Sequence, residues 1–239
     1  MSESNSTLVS HVDTSLVTRV ELAKVITPDA TETFKPVPHL ELIETIEAQL
    51  LKRDIRIIKE QFALRHDGSR LFGTFDLTLN GIEGACASMG FRTSNDRSMS
   101  IQVVAGMRVF VCDNLALRGE LIALKRKHTS GLILEAEVGV AIERYVEHYA
   151  TLKGEVAILK ERALDDNGAK ALIHDVFMAG AMPFKFYQAV TQEYFNPRHV
   201  EFEPRTVWSL HNAFTEVQKL MPLNRRIEST QEIGKLLLK

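Results

Sequence analysis

Met99-Ser100-Ile101-Gln102-Val103-Val104-Ala105-Gly106-Met107-Arg108-Val109-Phe110-Val111 is the stretch that decides the fold. Every second residue from Met99 is apolar: Met99, Ile101, Val103, Ala105, Met107, Val109 and Val111. A period of two over this length is a β-strand with one face in a core. The opposite phase holds Ser100, Gln102, Val104 and Arg108. Gly106 interrupts that phase and marks a bulge or a close backbone approach.

Working outward, residues 54–65 read as an earlier strand rich in Ile and Phe. His66-Asp67-Gly68-Ser69 is a hairpin turn with Asp-Gly at its centre. Leu71, Phe75, Leu77 and Leu79 continue its second arm, and Asn80-Gly81 turns the chain again. Residues 85–92 form a third strand, closed by Thr93-Ser94-Asn95-Asp96-Arg97-Ser98. After Cys112-Asp113-Asn114, residues 115–127 form the last strand. Strands joined by short turns make an antiparallel meander. The expectation is therefore an α+β fold whose sheet has about four or five strands within 54–128.

Helices flank this sheet. Pro38 opens an amphipathic helix carrying Leu42, Ile43, Ile46 and Leu50. From Gly131 onward Val138, Ile142, Tyr145, Tyr149, Leu152, Val156, Leu159 and Ala163 step by four and three. A helix over 131–164 is roughly 50 Å long at 1.5 Å per residue. It covers the apolar face of the sheet, and its overhang predicts a homo-oligomer through the same seam. Asp166-Asn167-Gly168 breaks the chain, and further helices follow at 167–179, 183–195 and 205–220. Pro183 and Pro204 mark two starts. The organisation read from this is an arm at 1–37, one α+β domain at 38–221 divided near 130, and a basic, partly helical tail at 222–239.

A net charge of −2 does not mark the whole chain as a polyanion binder, but residues 51–128 are net basic and the remainder net acidic. Cys86 and Cys112 lie in apolar strand-like segments and read as reduced, buried thiols. Met1 to Thr7 is polar without a basic-then-apolar pattern, and no apolar run approaches the ~20 residues of a membrane span. These features predict a cytoplasmic protein with no membrane partner.

No Gly-rich phosphate loop, His-Glu-x-x-His pattern or Gly-x-Ser-x-Gly elbow is present. No cofactor is implied. Asp96, Asp113 and His128 would be suitable metal ligands or catalytic groups only if strand ends brought them together. The run Lys125-Arg126-Lys127-His128-Thr129 is either a solvated strand end or a phosphate clamp. Arg92, Arg108, Arg118 and Arg126 fall on or near strands, and Phe110 shares the phase of Arg108. The expectation is one apolar sheet face against the long helix and one basic face open to solvent. Such a face can hold single-stranded DNA by charge on phosphates and stacking on bases. Arg92, Arg97, Arg108, Lys125, Arg126, Lys127 and His128 are its expected contacts.

Phe91-Arg92-Thr93-Ser94-Asn95-Asp96-Arg97-Ser98, Val103-Val104-Ala105-Gly106, Val109-Phe110-Val111-Cys112-Asp113-Asn114-Leu115 and Arg126-Lys127-His128-Thr129 together resemble the family called domain of unknown function 932. Trp208-Ser209-Leu210-His211-Asn212-Ala213-Phe214-Thr215 has the same flavour, and the resemblance spans about residues 40–220. It departs from the family at Ser94-Asn95-Asp96, where an Asn-Ser-x-Asp arrangement is expected. The resemblance implies a phage- or plasmid-like protein of a bacterial host and no settled activity. A meander followed by a long helix is also similar to the core of phage single-strand annealing proteins, although fold does not fix function. The leading expectation is a mobile-element protein that binds or anneals single-stranded DNA. Its rivals are an interaction protein that captures a host factor through the acidic helical half, and a metal-dependent enzyme acting on nucleic acid.

Overall fold

The computed structural model of the protein describes residues 14–80, 85–109, 115–116, 122–129 and 131–239. It is an α+β fold. β1 (Thr14–Val17), β2 (Ile57–Arg65), β3 (Arg70–Leu77), β4 (Ala85–Ser94) and β5 (Ile101–Val109) lie side by side in sequence order, every pair antiparallel. The far edge of β5 is shared by β6 (Leu115–Ala116), opposite Met107 and Arg108, and β7 (Ile122–Arg126), opposite 101–104. The described sheet has seven strands. It exceeds the expected four or five because the arm supplies β1 and the expected last strand is described in two parts, β6 and β7.

The turns follow local chemistry. Gly68 takes φ +72° between β2 and β3, and Asp67 accepts a hydrogen bond from the Ser69 amide at 2.9 Å. Between β4 and β5, Asp96 accepts from the Ser98 amide at 2.9 Å, and Arg97 takes φ +62°.

Alternation in β3, β4, β5 and β7 sends Leu71, Phe75, Leu77, Met89, Phe91, Ile101, Val103, Met107 and Leu124 into the core. Two helices join them there: α2 (His39–Leu51), with Leu42, Ile43, Ile46 and Leu50, and α3 (Leu134–Glu161), with Val138, Ala141, Ile142 and Tyr145. A four-residue helix α1 (Arg19–Leu22) precedes them and adds Leu22. Tyr145 donates its hydroxyl hydrogen to the Gly106 carbonyl at 3.1 Å, so the glycine read as a close backbone approach meets a helix side chain.

The rest of α3 is embraced by its own chain. Leu152, Val156 and Leu159 are buried in a core shared with α4 (Asp166–Met178), α5 (Tyr187–Phe195), α6 (Val207–Gln218) and α7 (Leu223–Leu237). Asp165 caps α4 and Thr206 caps α6. α6 is buried at every position, which makes it the centre of the helical half. The segment expected as a tail is α7, with Ile233 and Leu237 in the core. The expected apolar overhang of the long helix is also corrected, because the seam from Val138 to Leu159 is consumed within the chain. Among the described residues, no helix is long and apolar enough to cross a membrane.

Candidate nucleic-acid interface

Antiparallel pairing collects one set of strand ends: the end of β2, the start of β3, the β4–β5 turn and the end of β7. These positions carry Arg65, Arg70, Arg97, Lys125, Arg126 and Lys127. Only two carboxylates, Asp67 and Asp96, lie in the same turns.

Each charge has a distinct state. Asp96 binds Arg70 Nε at 2.9 Å, accepts from the Ser98 hydroxyl and amide, and lies 3.9 Å from Arg65 Nη1. Burial pushes its carboxyl up, but the Ser98 and Arg70 hydrogen bonds outweigh that and hold it well below the usual carboxylate range. Asp96 is therefore the counter-ion of Arg70 and Arg65 in the neighbouring hairpin. Arg97 lies over the Phe34 ring with its guanidinium carbon 4.8 Å from the ring centroid, and reaches Thr31 Oγ1 at 3.3 Å. Arg126 pairs with Glu137 of α3 at 2.8 Å. Lys125 and Lys127 are exposed, with no carboxylate partner among the described residues.

His128 departs from the expectation. It is 4% exposed, its Nε2 lies 3.1 Å from Thr93 Oγ1, and its ring packs on Phe34 at 5.5 Å. Burial, with a smaller contribution from His39, holds its imidazole below the usual histidine value. A neutral ring inside the fold is not a phosphate clamp. His128 ends the cationic run by anchoring it.

The convergence of Asp96, Asp113 and His128 also fails to gather support. Asp96 is engaged in its turn, His128 is engaged with Thr93, and Asp113 lies outside the described residues, as does Cys112. No group of three metal-ligating side chains occurs among the described residues. Cys86 is buried and reduced, as expected.

The second sheet face is corrected as well. Ser88, Gln102, Val104, Thr74 and Asp76 are buried there, so this face is not open to solvent. Arg92 is half-buried on it, with its basicity lowered by burial and supported by the Glu228 carboxylate of α7. The Arg108 side chain lies outside the described residues; its backbone pairs with Cys86 and Leu115. The expected cations thus divide: Arg97, Lys125, Arg126 and Lys127 gather at the strand ends, whereas Arg92 lies on the covered face. Phe34, Arg65 and Arg70 join the strand-end group without having been singled out in the sequence. The strand register brings Arg65 and Arg70 to the same end of the sheet as the Lys125–Lys127 run, and Phe34 joins through its contacts with Arg97 and His128.

A family model described as domain of unknown function, DUF932, matches residues 30–236. The chain belongs to that family. No curated protein and no solved structure matches it.

Proposed function

We propose that this protein handles single-stranded DNA in a mobile-element setting, with the phosphate backbone lying along the strand-end rim. The observation that carries this reading is the pair Lys125 and Lys127, exposed and without a carboxylate partner among the described residues, beside Arg97 on its aromatic support. Unpaired cations on a rigid sheet edge attract phosphates without first breaking an ion pair. The burial of the second sheet face moves the contact surface from that face to the rim. Titrating a fluorescent oligodeoxynucleotide at increasing salt tests the reading. Affinity that falls linearly on a log–log plot is the expected result. No salt-sensitive binding at low ionic strength overturns it.

One observation favours a second reading, an interaction protein that captures a host factor. A cavity of about 720 Å³ lies between α4 and the α6–α7 turn, lined by Phe177, Met182, Phe184, Phe186, Leu220 and Met221. Phe184 and Leu220 are largely exposed. Salt-tolerant co-purification of a protein, with no nucleic acid, would be its outcome.

A further inference from the structure

The cations of the strand-end rim are not equally open to a ligand. Arg70 begins β3 directly opposite Ser94, the last residue of β4, and Asp96 follows two residues later in the β4–β5 turn. The register therefore sets a cation beside a carboxylate supplied by the next hairpin. Arg70 Nε donates to Asp96 Oδ2 at 2.9 Å, and Arg70 has no other carboxylate partner among the described residues. Arg65 is divided between Asp96 at 3.9 Å and Asp67 at 3.5 Å.

The two members of the Arg70–Asp96 pair are held very differently. Asp96 is fixed by its own turn, where Oδ1 accepts from the Ser98 amide at 2.9 Å and from the Ser98 hydroxyl. Burial opposes the charge, but the Ser98 and Arg70 hydrogen bonds keep this carboxyl ionised through the neutral and mildly acidic range. Arg70 is the more exposed partner, with 42% of its side chain accessible against 28% for Asp96. Ion pairs at such exposure are weak and screened by salt. The long arginine side chain can therefore be drawn to another anion, while the carboxylate stays in place. A guanidinium accepts phosphate oxygens with the same planar fork that it offers to carboxylates.

We propose that Arg70 is a latent phosphate site of the rim, occupied in the free protein by the Asp96 carboxylate. This rests on the single-strand reading above. A strand lying along Lys125 and Lys127 meets cations that need break no pair, but at Arg70 it competes with a fixed internal anion. Asp96 thereby limits how many phosphates the protein holds at once. Removing its charge converts Arg70 into a further contact. Arg65 keeps Asp67 as its counter-ion, so one contact is gained and not two.

The experiment is a double-mutant cycle on the full chain, made of Arg70→Ala, Asp96→Asn and the two combined. Each is titrated with the same fluorescent deoxythymidine oligonucleotide over a range of salt. Asparagine keeps an oxygen for the Ser98 amide, so the turn retains its acceptor. Arg70→Ala alone should leave the salt slope at its wild-type value. Asp96→Asn should steepen the slope by about 0.7, the increment of one phosphate contact on a single strand, and tighten binding at low salt severalfold. The double variant should return to the wild-type slope. The gain from simply removing a negative charge would persist without Arg70, so a gain that survives in the double variant overturns the proposal. An unchanged slope in Asp96→Asn overturns it as well, while the rim reading stands. Arg70→Ala covers failure of Asp96→Asn to fold: a slope that drops in that variant shows Arg70 already in contact and also overturns the proposal. No salt-sensitive binding by the wild-type protein overturns both readings.

Discussion

Thr93 Oγ1 and His128 Nε2 lie 3.1 Å apart inside the protein, joining the middle of the sheet to the residue that follows its cationic edge. Lys35 adds a second tie, donating its backbone N–H to the His128 carbonyl at 3.1 Å. The two bonds fix the chain just after Lys127, so the lysines before it leave the sheet in a defined direction. Thr93→Val keeps the shape and removes the hydroxyl, stranding a buried imidazole nitrogen. The expected cost is about 1–3 kcal/mol, read from urea unfolding. Salt-dependent DNA binding by the folded fraction should keep its slope, because no charge has been removed.

Lys125→Ala and Lys127→Ala together should flatten the plot of log affinity against log salt by about 1.4, at roughly 0.7 per phosphate contact on a single strand. Adding Arg126→Ala should change the slope less than either lysine does, since Arg126 is already paired with Glu137. The lysines are solvent-exposed, so unfolding midpoints should hardly move. A slope that drops only when Arg126 is removed would contradict this assignment of charges.

The alternation from Met99 to Val111 was enough to orient β5, because Ile101, Val103 and Met107 are all core residues. The same reasoning failed for the opposite phase. Gln102 and Val104 are as buried as their apolar neighbours, and one strand's polarity does not reveal what covers its other face. His128 illustrates a second limit. A histidine after three cations reads as part of the charge, whereas its partner Thr93 lies 35 residues away. The heptad of α3 was legible as a buried seam, but whether a second copy or the chain's own carboxy-terminal helices bury it depends on tertiary contacts. α7 shows why: its basic, partly helical sequence reads as a tail, while Ile233 and Leu237 decide its packing.

Stability should fall as pH drops below the mid-sixes. His39 and His128 are held below the usual histidine value by burial, and the fully buried His211 is pushed down to about 4. His211 stacks on Trp208 with ring centroids 5.6 Å apart, and its Nδ1 has no partner. In the unfolded chain these imidazoles take up protons near pH 6.5, whereas in the fold burial moves their protonation to lower pH. The unfolded state therefore binds more protons below pH 6.5, and the stability present above that value is lost as pH falls toward 4. His211 alone accounts for a change on the order of 3 kcal/mol. Unfolding free energies measured between pH 7 and pH 4 should show this decline, and His211→Phe should reduce its steepness. A flat profile in the wild-type protein would rule out a neutral, buried His211.

Gly73 is the position at which the core of the sheet tolerates least. A Cβ added there would lie 2.3 Å from Phe91 Cζ, 2.5 Å from Phe91 Cε2 and 3.0 Å from Phe62 Cδ1. The rings cannot simply swing aside. Phe91 packs on Phe75 at 4.9 Å between centroids, and Phe62 packs on both Phe75 and Phe91. The glycine is required by this close approach of aromatic side chains, since its φ is not in the left-handed region. Gly73→Ala should destabilise the protein by about 1–3 kcal/mol through overpacking, although alanine suits a strand better than glycine does. The urea midpoint should shift with no change in the slope of unfolding. Phe91→Leu alone should also destabilise, because it removes a fully buried ring. Combined with Gly73→Ala, it should cost less than the sum of the two single changes, since each relieves the clash or fills part of the void made by the other. Strict additivity in that double-mutant cycle would show that the two side chains do not share the space assigned to them.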